Sequence, residues 1–171
     1  MKKMSLIVLS VLCVVILLVN SLKPVMTNER YKTYKLPEKL SIEIIRETVD
    51  LDGNQLQSYS IRKTADLLRF SQRNNIADGK ANCVGYAQLC AAIYNCGAKA
   101  HKISGYARPV VGYIEIGPLN ICSIARSIAP RKWKNFVKDH DFVEFTIDKD
   151  IFYADASVYD VIGTDCKTSK H

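Results

Sequence analysis

The chain has 171 residues, with 24 Lys and Arg against 17 Asp and Glu, for a formal net charge of +7. Hydrophobic residues at 48% and charged residues at 24% are those of a globular chain and exclude extensive disorder outside the ends. The length allows one domain with one core, and the positive charge allows attraction to acidic polymers or anionic lipid, but no recognisable nucleic-acid motif accompanies it.

Lys2 and Lys3 precede an apolar run from Met4 to Val19, broken by Ser5 and Ser10. A basic flank and an apolar run at the extreme N-terminus read as a signal peptide or membrane anchor over residues 1–22, although the run falls short of the ~20 residues that comfortably span a bilayer. Cleavage and retention both stay open. Lys23, Arg30, Lys32 and Lys35 follow the run and oppose export by the charge rule, whereas a very short N-terminal tail usually remains inside. The expectation is an exported or membrane-anchored domain outside the cytoplasm. Cys13 follows Leu12 rather than the small residue that lipid attachment wants, and reads as one more apolar member of the run.

Residues 23–57, with Pro24, Pro37, an amphipathic piece from Leu40 to Val49 and the turn Asp52-Gly53-Asn54, read as a stalk and packing segment. Residues 58–163 read as the main domain and 164–171 as a polar tail. Ser58 or Ser60 is expected to cap a core-packing helix in which Ile61, Ala65, Leu68 and Gln72 recur at helical spacing. After the loop Asn74 to Gly79, a second helix is predicted from Cys83 to about Asn95, stopped by Gly97. Its small residues Gly85, Ala87, Ala91 and Ala92 let a helix lie close against a sheet. Ala98 to Tyr106 and Val110 to Ile116 read as two strands separated by Ala107-Arg108-Pro109, and Leu119 to Ala129 as a short helix. Arg126, Arg131, Lys132, Lys134 and Lys138 then make a basic surface, with a lip over a cleft, touching through Trp133, as the sharper alternative. His140 to Ile147 and Ile151 to Asp155 flank Asp148-Lys149-Asp150 and are expected to form a hairpin.

Chemistry concentrates at three points. Cys83 stands where a loop becomes a helix, against amides whose partial positive charge favours a thiolate and can hold an oxyanion. His140 supplies a base for the thiol proton, and Asp155 a carboxylate to fix the base's tautomer and stabilise its imidazolium. The hairpin register brings the pair together if His140 faces Asp155 or its same-face neighbour two residues on. Glu144, on the same strand face as His140, is a candidate supporting residue. His101 competes with His140 but sits in a solvated strand setting. Asn82 is a nearby candidate for the second oxyanion donor. Cys90 lies two turns from Cys83 and reads as core, too far for a disulfide. Some pair among Cys96, Cys122 and Cys166 is open to bridging in an exported domain. Without a CxxC pair or clustered histidines, neither a metal nor another cofactor is expected.

Gly79, Cys83, Gly85 and Ala87, then His140, Phe142 and Glu144, then Asp155 and Ala156 together resemble the transglutaminase-like superfamily of papain-type thiol enzymes. The resemblance covers roughly Ser58 to Val161. It implies an α+β fold with a papain/transglutaminase-like core, the nucleophile helix packed on an antiparallel β-sheet. It further implies catalytic Cys83, His140 and Asp155 acting on a protein or peptide amide through a thioester. Phe142 stands where Trp is usual and Ala156 where Pro is usual, and a long segment intervenes before His140. Hydrolysis is the favoured outcome; protein-glutamine transamidation and an inactive binding module are the alternatives. The expected partners are a protein or peptide substrate and, through an uncleaved N-terminal segment, a membrane, but no nucleic acid.

Overall fold

Five antiparallel pairings among the described residues build one sheet, in which strands 22–29, 105–116, 140–147, 150–154 and 168–170 lie side by side in that order and 119–120 adds to 105–116. A computed structural model of the chain describes residues 22–29, 34–73, 83–116, 118–128, 140–163 and 168–170. The apolar run Met4 to Val19, Gly79, Asn82, Trp133 with its basic neighbours, Cys13 and Cys166 lie outside the described residues. The strands are β1 (Leu22–Glu29), β2 (Gly105–Ile116), β3 (Leu119–Asn120), β4 (His140–Ile147), β5 (Asp150–Ala154) and β6 (Thr168–Lys170). The helices are α1 (Glu38–Glu47), α2 (Gly53–Arg73), α3 (Cys83–His101), α4 (Ile121–Ile128) and α5 (Ala156–Ile162). This is an α+β architecture of helices on an antiparallel sheet. No helix among the described residues is long and apolar enough to cross a membrane.

Helix α3 is the centre of the fold. One side sends Tyr86, Ala87, Cys90, Ala91, Tyr94 and Ala98 into a cluster with Ala107, Val143, Phe145, Ile147 and Ala154 of the sheet. Leu89 and Ile93 meet Ile44 of α1 in a second cluster. A helix covered on several sides needs apolar and small residues around most of its circumference rather than a single stripe, which is how this segment reads. The opposite sheet face carries a smaller cluster of Val110, Phe142 and Tyr153, with Met26 packed against it.

Several local expectations give way, each for an identifiable reason. Gly97 does not stop α3, which continues to His101. A Cβ at position 97 would lie 2.8 Å from Leu56 Cδ1 and 3.2 Å from Thr48 Oγ1, so glycine here permits close packing rather than ending the helix. The helix ends instead at Lys102, left-handed with φ 56°, where the Ile103 amide reaches back to the Ala98 carbonyl at 2.9 Å. The two predicted strands from 98 to 116 are one strand, β2, which runs through Ala107-Arg108-Pro109. Pro109 pairs with Val143 of β4, while β1 reaches β2 only from Val110 onward, so the missing amide hydrogen costs no bond to β1. Two residues earlier on that free side, the Asn95 side chain takes the Ala107 amide at 2.8 Å and gives to its carbonyl at 2.7 Å. An amide side chain thus replaces a neighbouring strand.

The turn Asp52-Gly53-Asn54 opens α2 earlier than Ser58 or Ser60 would. Asp52 Oδ1 accepts from the Gln55 amide at 2.8 Å, while Gln55 Oε1 accepts from the Asp52 amide at 2.9 Å, a reciprocal cap at i and i+3. Ser60 instead lies inside the helix, its hydroxyl donating to the Leu56 carbonyl at 2.7 Å. Where a stalk is expected over 23–57, the chain contributes β1, α1 and the first turn of α2. Of the polar tail, residues 168–170 form β6 on the edge of β5.

Candidate functional site

Cys83 is the first residue of α3, so its side chain emerges at the end of the helix that carries the core. The β4–β5 hairpin closes through Asp148, left-handed with φ 56°, and aligns Val143 with Ala154. Continuing that register puts position 155 diagonal to His140, one pair beyond the last strand partner. Asp155 completes the approach by leaving the strand to cap α5. Its Oδ1 accepts from the Ser157 amide at 2.8 Å, the Ser157 hydroxyl at 2.7 Å and the Val158 amide at 3.1 Å. Its other oxygen, Oδ2, meets His140 Nε2 in a hydrogen-bonded ion pair.

The electrostatics follow from these contacts. Burial works against a charged His140, but hydrogen bonds to Asp155 and to Cys83, reinforced by their negative charge, outweigh it and raise its pKa to about 10. Burial pushes Asp155 upward, yet the His140 hydrogen bond and charge and the Ser157 and Val158 donors hold its carboxyl below the ordinary value. Both contacts favour the imidazolium form of His140, with Asp155 on Nε2. The structure brings Cys83, His140 and Asp155 into one site.

Asp141 is a member of the site that sequence reasoning passed over. It is 3% exposed, and the Cys83 thiol lies 3.8 Å from its Oδ2. Its position beside His140 is visible in the sequence, but only the packing of β4 on the start of α3 brings it to Cys83. Ser157 was missed too, although an Asp followed two residues later by Ser at a helix start is a capping signal. Tyr86, one turn after Cys83, donates to Asp160 Oδ2 at 2.6 Å and ties α3 to the helix that Asp155 caps.

Other candidates go elsewhere. Buried Glu144 pairs with the partly exposed Arg108, Nε to Oε1 at 2.7 Å, and sits across from Tyr153 rather than against His140. His101 closes the other end of α3, its Nε2 3.0 Å from the Ile45 carbonyl and 3.2 Å from Thr48 Oγ1. Cys90 is fully buried, and burial pushes its thiol up to about 12. Cys96 is a free thiol under α1, so the described residues hold no bridge to it. Among the described residues no group of three or more His, Cys, Asp or Glu side chains is arranged to hold a metal ion. Comparison of the chain with protein-family models, with curated proteins and with solved structures finds no match.

Proposed function

We propose that the protein is a cysteine-dependent acyl-transfer enzyme with a papain/transglutaminase-like core, and that it hydrolyses peptide or side-chain amides. The observation that carries this reading is the His140–Asp155 ion pair, anchored by α5 and in hydrogen-bond contact with Cys83 at the first residue of α3. The thiolate of Cys83 attacks an amide carbonyl carbon, and the oxyanion is held by amides at the start of α3. His140 gives its Nδ1 proton to the departing amine as the thioester forms. Water then attacks the thioester while His140 takes the water's proton, which releases the acid and restores the thiolate.

Two departures from the family pattern are compatible with this chemistry. Ala156 is the first helical residue of α5, a position where proline and alanine both fit, so the cap on Asp155 does not depend on proline. Phe142 is buried against Tyr153 with ring centroids 5.7 Å apart, in the cluster on the sheet face away from α3. Transamidation needs deep apolar walls around the thioester to exclude water and admit an amine, and Phe142 stands where the family usually has a tryptophan. Water is the favoured acceptor.

Product partitioning tests the reading. The full-length chain is incubated with a glutamine-containing peptide library and excess primary amine, and products are separated by mass. Acid product that disappears in Cys83→Ser supports hydrolysis. Predominant amine adduct would replace it with transamidation, and an unreactive Cys83 with no turnover would leave a binding module.

A further inference from the structure

The end of the sheet that carries α4 bears an apolar surface that the proposed chemistry does not use. Leu119 of β3 is 54% exposed, and Ile124 and Ile128 of α4 are 42% and 80% exposed. Ile124 and Ile128 are four residues apart and so lie on one face of the helix. Ser123 and Ser127 beside them are exposed as well, which gives α4 an outward face with isoleucines at its centre. α4 is fixed by its N-terminal cap, where Asn120 Oδ1 accepts from the Ser123 amide at 2.9 Å, and by its packing on β2 and β3.

The topology says what this surface meets. β1 begins at Leu22, opposite Ile116 of β2, and Ile116 is also opposite Leu119. Residues 1–21, with the apolar run Met4 to Val19, therefore join the domain at Leu22, one strand away from the exposed Leu119. Arg131, Lys132, Lys134 and Lys138 follow α4 in the sequence of a chain whose net charge is +7. We propose that the β3–α4 surface seats the domain on an anionic lipid bilayer, with Leu119, Ile124 and Ile128 entering the interface beside the point where the N-terminal run leaves the domain. An eight-residue helix about 12 Å long with serines flanking isoleucines suits shallow interfacial contact rather than insertion. The thiol site shares this end of the molecule. His140 is opposite Gly112 and Asn120 opposite Glu115, three residues or about 10 Å apart along β2, so the seated domain holds Cys83 close to the bilayer.

The test puts an environment-sensitive fluorescent amino acid in place of Ile128 and, separately, of Tyr106 in the full-length chain. Tyr106 is 48% exposed but lies ten residues from Ile116 along β2, toward the far end of the sheet. Each protein is reconstituted in phosphatidylcholine–phosphatidylglycerol vesicles, with and without lipids carrying a quencher on the acyl chain. At position 128 the lipid-borne quencher should reduce emission at least threefold, with little change at 106, and Ile124→Asp should lessen the quenching at 128. Equal quenching at the two positions, or failure to join vesicles, would overturn the proposal. Blue-shifted emission at 128 without lipid quenching would also overturn it, because the surface would then be covered by protein. None of these readings depends on amide turnover, so they stand apart from the fate of the proposed reaction.

Discussion

Cys83 and Asp141 meet where α3 begins: the thiol lies 3.8 Å from a carboxylate oxygen with almost no access to solvent. A second acid beside Cys83 opposes what His140 promotes. The thiolate gains from the imidazolium and loses to the carboxylate, since like charges at this distance repel by about 1 kcal/mol even at the dielectric of water and by more when buried. Asp141→Asn should make iodoacetamide alkylation of Cys83 several-fold faster at a fixed pH, about tenfold if the repulsion is near 1.4 kcal/mol. His140→Ala should slow alkylation at neutral pH. An unchanged rate in Asp141→Asn would mean that the carboxylate only packs.

Selectivity among the cysteines is a separate expectation. Cys90 is fully buried with its thiol pushed up to about 12, whereas Cys83 is partly exposed. Brief alkylation of the folded protein followed by peptide mapping should mark Cys83 well before Cys90. Equal labelling would remove Cys83 from the role of nucleophile.

Much of this arrangement is legible in the residues because its parts are local. The β4–β5 hairpin follows from two apolar runs about a short polar turn, and its register alone carries Asp155 to within a diagonal of His140. What the sequence hides is tertiary. Asp141 acquires meaning only when β4 docks on the start of α3, and Glu144 is drawn away from the site by Arg108 on the neighbouring strand. Gly97 reads as a stop signal because glycine often is one, and nothing local reveals that Leu56 presses on it. His101 looks solvated until the end of α1 supplies a carbonyl and a hydroxyl to its ring.

Gly97 gives a stability prediction in which two effects compete. Gly97→Ala gains about 1 kcal/mol of helix propensity in α3. Against this, the new methyl would sit 2.8 Å from the end of the fully buried Leu56 side chain, which must shift within the core to admit it. Overpacking of this kind costs about 1–3 kcal/mol, so the variant should be less stable by up to about 2 kcal/mol. Urea denaturation measures it. A gain in stability would show that α2 yields at this contact.

The His140–Asp155 pair also sets how stability varies with pH. His140 is raised from 6.5 to about 10 in the fold, so its contribution is complete below about 6.5 and drains away as the pH climbs through about 10. Asp155 is held below its ordinary 3.8, so its contribution is present above that value and is lost as the pH falls through the folded pKa. Both contributions are in force only between about pH 4 and 6.5, and the melting temperature should be highest there. The alkaline side carries the sharper signature, because the decline from pH 7 to about 9 follows the imidazole, before the buried Cys90 thiol, raised from 9.0 to about 12, adds its own loss. Asp155→Asn retains a cap for α5 but removes the charge on Nε2, so it should flatten that alkaline decline while leaving the helix in place. Melting curves taken at one-unit steps from pH 4 to 10 measure both proteins. An alkaline slope equally steep in the two would assign the pH dependence to a group other than His140.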